Sequence, residues 1–186
     1  MTPATTGATS AVWETIASEA AAESPLWAAA LRPPESRERL PVFSALADDR
    51  FGLALETIYE GYLLHYGRPR LFVPADADTA VLLGDYLFAH GLVRLAVSGG
   101  VPAVSDLAEL ISVSTQLRAE QADPALDGLA WAATAVCLGR DAARLEQARS
   151  ALRLDRDPRG LRALALAEAG EEALARALRT HGDRVQ

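Results

Sequence analysis

The chain has 186 residues, half of them hydrophobic but only 6% aromatic, with alanine and leucine carrying most of the apolar content. That length suffices for one domain with a sizeable core, and the composition favours helix, since both residues lose little side-chain freedom there. A formal net charge of −7 argues against a nucleic-acid binder, which needs a basic stripe; all 18 basic residues are arginine, a coding bias that also removes lysine chemistry such as Schiff-base formation.

In chain order, residues 1–9 are small and polar and are expected to be disordered; Met1 to Ser10 lacks the basic start and apolar core of a signal peptide. A helix fits Ser10 to Glu23, with Val12, Trp13, Ile16, Ala17 and Ala20 on one face. Ser24-Pro25 restarts a short helix, serine suiting the N-cap and proline the first helical position, and Pro33-Pro34 ends it. The next expected helix is Ser36 to Leu46, followed by one from Arg50 to Tyr66 capped by Asp49. Gly67-Arg68-Pro69 stops it, glycine by access to the left-handed conformation and proline by ending the hydrogen-bond ladder. Residues 68–77 form a loop, whose Leu71-Phe72-Val73 is expected to pack on the bundle.

Asp76 or Asp78 caps the most apolar helix, Thr79 to Ala96, which Ser98-Gly99-Gly100 ends. Pro102 or Ser105 opens a helix to Glu120, Asp123-Pro124 opens Ala125 to Leu138, and Asp141 to Leu152 and Arg159 to Thr180 complete the set. Few segments show strand-like alternation, so the expected fold is all-α: a single antiparallel helical bundle over residues 10–182. No run is expected to span a membrane without interruption by charge or glycine, and the expected location is cytoplasmic. The lone Cys137 lies among apolar neighbours and reads as a small buried hydrophobe. His65, His90 and His181 are far apart in sequence, so no metal cluster is expected.

The stretch Leu82 to His90 carries the most information. Gly84 inside an apolar helix costs about 1 kcal/mol relative to alanine, and such a glycine usually admits a neighbouring helix. Asp85 interrupts the apolar run; if buried it needs a partner, and an arginine or tyrosine hydroxyl on a neighbouring helix is the expected one. Tyr59, Tyr62, His65, Tyr66, Arg68 and Arg70 gather towards the end of one helix. They read either as a remnant pocket with arginines for diphosphate oxygens or, favoured, as a helix C-terminus carrying cations that the macrodipole attracts. The charged helices after Arg140 read as solvated faces with weak ion pairs.

The context VLLGDYLFAHGL around Gly84-Asp85-Tyr86-Leu87 resembles the V-L-x-G-D-Y-L-x-A-x-A helix of the polyprenyl diphosphate synthases. Ser36 to Pro41 resembles that family's early G-K-R-x-R-P segment, Leu53 to His65 its A-x-A-x-E-x-I-H-x-x-S-L-I-H helix, and Val101 to Gln121 the helix that follows, so the likeness covers residues 36–120. It implies a fold related to the first half of the isoprenoid synthase fold. In the family the helix ending L-I-H runs on into D-D-x-x-D, whose carboxylates hold magnesium for an allylic diphosphate. Here Tyr66, Gly67 and Arg70 stand at those positions.

The likeness is nearest to the small subunit of two-subunit long-chain synthases, which lacks the aspartate-rich motifs; Gly84-Asp85-Tyr86 and Leu107-Ala108-Glu109-Leu110-Ile111 match its pattern. It implies a non-catalytic subunit in isoprenoid quinone side-chain (menaquinone) biosynthesis, paired as a heterodimer with a catalytic subunit that alone would need magnesium. No cofactor and no catalytic residue are then expected in this chain. The interface or remnant pocket would comprise Tyr62, His65, Tyr66, Arg68, Arg70, Gly84, Asp85 and Tyr86. The alternatives are a helical homodimer without isoprenoid chemistry, and an enzyme with altered chemistry around Asp85, His65 and the arginines.

Overall fold

The computed structural model describes residues 5–140 and 142–185. Among them are nine α-helices and no strand; the fold is all-α. Two helices form its axis, each mostly apolar, with its few buried charges paired inside the bundle. α3 (Gly52–Tyr66) is buried at every residue from Ala54 to Leu64, and α6 (Pro124–Cys137) at every residue from Asp127 to Cys137. Tyr59 and Tyr62 of α3 meet Trp131 of α6 edge-on, with ring centroids 5.1 and 5.4 Å apart.

The other helices supply one face each. α1 (Thr5–Glu23) turns Trp13, Ile16, Ala17 and Ala20 inward, as its periodicity predicts, but it begins at Thr5. Of the stretch expected to be disordered, residues 5–9 are therefore helical, and residues 1–4 lie outside the described residues. Ser24 caps α2 (Pro25–Ala30) by accepting the Leu26 N–H at 3.1 Å. Leu31 then extends and bridges antiparallel to Phe72: Arg32 N donates to Leu71 O and Val73 N to Ala30 O. Leu71 and Phe72 pack down on a second small core with Trp13, Ile16, Leu83 and Leu87, whereas Val73 stays exposed.

The helix expected over Ser36 to Leu46 does not form. The segment has only the 3-10 turns Pro34–Ser36 and Ser44–Leu46, with an extended strap between them. Pro41 disfavours helix at Leu40 and removes a backbone donor. The strap's polar groups are met elsewhere, since Glu38 N donates to Arg70 O and Leu40 O accepts from Arg70 Nη1. Asp48, not Asp49, caps the next 3-10 turn, Asp49–Phe51, which leads into α3. Gly67 ends α3 with φ −156°, outside the left-handed region expected. Its glycine serves close approach instead, because a Cβ there would lie 2.8 Å from Arg184 O.

Asp76 caps α4 (Ala77–Ser98) by accepting the Thr79 N–H at 2.7 Å. α4 lies against α3 along a line of small residues. A Cβ on Gly61 would lie 2.9 Å from Gly84 O, and one on Gly91 would lie 2.3 Å from Ile58 Cγ1. α4 is also the one helix among the described residues that is long and apolar enough, by length and composition, to cross a membrane. Its apolar sequence is interrupted by Gly84, Asp85, Gly91 and Arg94, as expected, although none of them breaks the helix. After α5 (Gly100–Ala119) and α6 comes α7 (Ala142–Asp155), whose expected first residue, Asp141, lies outside the described residues. The single helix expected from Arg159 to Thr180 is two, α8 (Arg159–Ala169) and α9 (Glu171–Val185). Gly170 between them has φ +78°, which breaks the helix and favours glycine.

Candidate functional site

Of the eight residues singled out in the sequence, Tyr62, Tyr66 and His65 form a run of ring contacts, with centroids 5.3 and 5.5 Å apart, that leads to Gly84 and Asp85, while Arg68, Arg70 and Tyr86 lie in other environments. Arg70 lies at zero exposure, stacked between Trp13 and Tyr59 with its guanidinium carbon 4.5 and 5.0 Å from the ring centroids. Its Nη1 donates to Glu56 Oε2 at 2.6 Å and its Nε to Glu60 Oε2 at 2.9 Å. Glu60 Oε1 also accepts the N–H groups of Arg70 and Leu71, both at 2.7 Å, and Glu56 accepts from the Ser44 hydroxyl. Burial works against the charge on Arg70, but Glu56 and Glu60 outweigh it and hold its pKa above the ordinary arginine value. One arginine thus pins the 68–73 loop to two carboxylates one helical turn apart, and its fork is not available to a diphosphate. Arg68, which is exposed, bonds the end of α9: its N–H donates to Arg184 O and its side chain to Asp183 O.

His65, Gly84 and Asp85 meet where α3 crosses α4. A Cβ on Gly84 would lie 2.5 Å from His65 Nε2, so the glycine makes room for the imidazole, the close approach expected of it. The His65 ring stacks on Phe88 at 5.2 Å. Its Nε2 is 3.1 Å from Asp85 Oδ1 but not aligned on it as a hydrogen bond. The Asp85 side chain is 65% exposed, so the buried acid with an arginine or tyrosine partner is replaced by a solvated acid beside a histidine. Tyr86 sits in a surface ladder, stacked on Trp27 at 5.9 Å and on His90 at 5.3 Å. Tyr66 reaches Thr115 at 3.5 Å.

Tyr62 belongs to a buried network that no local motif announces. Its hydroxyl donates to Asp127 Oδ2 and accepts from Arg118 Nε and Nη2 at 3.0 and 2.7 Å. Asp127 Oδ1 is 3.1 Å from His181 Nε2, and His181 Nδ1 is 3.0 Å from the Tyr59 hydroxyl. Burial pushes the Asp127 pKa up, but the hydrogen bond and charge of His181, with Tyr62 and Arg118, outweigh it and hold it below the ordinary carboxylate value. Burial also raises the pKa values of Tyr59 and Tyr62, so both remain phenols. Each nitrogen of His181 has a partner, which leaves it no lone pair for general-base chemistry. Among the described residues no group of three or more His, Cys, Asp or Glu could hold a metal ion.

The most distinctive surface is the outer side of α4. Leu82, Val93 and Val97 are 56, 65 and 89% exposed, and Val101 on α5 is 82% exposed. With Ala89 and Ala96, also exposed, Leu82, Val93 and Val97 recur at helical spacing along one stripe. Asp85 and Tyr86 occupy the turn between Leu82 and Ala89, so the unbroken apolar part of the stripe runs from Ala89 to Val97; scattered surface apolar residues are ordinary, and grouping along one face is what sets these apart. No known protein family, curated protein or solved structure matches the chain.

Of these features, Gly84 and the apolar character of α4 were visible in the sequence. Glu56 and Glu60, four apart in an apolar helix, were an available sign of a buried cation. Asp127 and His181 are 54 residues apart and carried no such sign.

Proposed function

We propose that this chain is a non-catalytic helical subunit that docks on its partner through the outer face of α4, and that the partner is the catalytic subunit of a heterodimeric polyprenyl diphosphate synthase. The observation that carries the docking is the exposed stripe of Leu82, Ala89, Val93, Ala96 and Val97. Covering one such valine or leucine is worth about 1.5–3 kcal/mol. The partner's identity rests on the resemblance of residues 36–120, whose Gly84-Asp85-Tyr86 motif lies on this same helix. The non-catalytic role is supported by the position of Arg70, which stands where the resemblance calls for a metal-binding acid and is held by Glu56 and Glu60.

A second copy of the chain is the alternative occupant. Ala89 lies midway along the stripe, so two α4 helices crossing there would approach closely. The test is retrieval of the tagged protein from its native cells, beside the exposed-site variant Val93→Asp. The proposal expects the wild type to retain a subunit with two D-D-x-x-D motifs, and the variant to lose it while its helical content is unchanged. A wild type that elutes as a homodimer supports the alternative. A monomer that retains nothing defeats both.

A further inference from the structure

The N-terminal end of α6, with α8 and α9, borders a hollow of about 320 Å³ that opens to solvent, distinct from the α4 face. Leu129 and Leu178 line it, the His181 ring forms part of its wall, and Asp123, Arg162 and Gly182 border it. Gly182 lies inside α9, where glycine weakens a helix relative to alanine. Neither a positive φ nor a close neighbour requires it: a Cβ there would meet nothing within 4 Å. Gly182 thus adds no side chain to the rim of the cavity.

The polar groups at this cavity differ in what they still have to offer. Asp123 caps α6 by accepting the Ala125 N–H at 2.9 Å. His181 has Tyr59 and Asp127 on its two nitrogens, so neither nitrogen is free for a ligand. The exposed Arg162 guanidinium has no hydrogen-bond or ion-pair partner among the described residues. A free planar fork beside an apolar hollow suits a carboxylate with a hydrocarbon body. The volume is at the small end of the roughly 300–1,000 Å³ of ligand cavities, which favours a short chain over a long one.

We propose that this cavity binds a small aliphatic monocarboxylate, with the carboxylate on Arg162 and the hydrocarbon against Leu129 and Leu178. It is a binding site and not a reaction centre, because both His181 nitrogens are engaged. The test is calorimetric titration of the full chain with octanoate and, separately, with 1-octanol. Octanoate is expected to bind the wild type. Arg162→Gln, an exposed substitution, is expected to weaken octanoate about twofold to fivefold while leaving octanol unchanged. Gly182→Leu, which adds bulk at the rim, is expected to weaken both. No octanoate binding by the wild type at millimolar concentration overturns the proposal. So does equal octanoate affinity in Arg162→Gln, or unchanged binding in a folded Gly182→Leu.

Discussion

Replacing Arg70 by methionine tests the part of the structure that departs furthest from a diphosphate-binding site. The substitution keeps much of the side-chain volume between Trp13 and Tyr59 but removes the charge that faces Glu56 and Glu60. Glu60 keeps two ligands, the backbone N–H groups of residues 70 and 71; Glu56 keeps only the Ser44 hydroxyl. Removing one partner of a buried ion pair costs about 3–5 kcal/mol, and for a chain of this size each kcal/mol is worth about 2–4 °C, so Arg70→Met is expected to melt about 6–20 °C below the wild type. The assay is thermal unfolding followed by circular dichroism, with urea unfolding as a check. Adding Glu56→Met to Arg70→Met removes the stranded carboxylate and is expected to recover part of the loss. A single variant melting within about 2 °C of the wild type would refute the pinning of the loop. A double variant worse than the single one would refute the assignment of the cost to Glu56.

Asp127 has a depressed pKa in the folded chain, so its contribution is present above the unfolded value near 3.9 and fades as pH falls through the lower folded value. The stability gap between the wild type and Asp127→Asn, measured by urea unfolding, should therefore narrow from about pH 5 to pH 2; a gap that stays constant or widens contradicts the network. Gly84→Ala puts a Cβ against His65 and is expected to cost about 1–3 kcal/mol. His65→Ala in the same chain should restore much of that, and equal melting of the single variant and the wild type would show that the helices are not so closely set.

The class of fold was legible because helical periodicity and punctuation agree along most of the chain. Ser24-Pro25, Asp76 and Asp123-Pro124 start helices where their side chains or backbone suit the first turn. The errors came where local signals compete. Pro41 outweighs the helical character of residues 36–46, and Gly170 divides a charged run whose periodicity continues on both sides. Asp85 points to solvent, and its sequence context does not reveal this because α4 is apolar on both its packed and its open faces, so hydropathy alone does not show which way a residue points. The Tyr59–His181–Asp127–Tyr62 network joins α3, α6 and α9, and such contacts depend on tertiary packing that no sequence window contains.

The most direct measurement of the subunit assignment is a prenyl-elongation assay with isopentenyl diphosphate, an allylic diphosphate and magnesium. It compares this chain alone, the catalytic partner alone, and the two mixed, with Val93→Asp as the control. The account predicts long-chain product from the mixture only, and its loss with Val93→Asp. Turnover by this chain alone, or an active partner that gains nothing from it, would contradict the account.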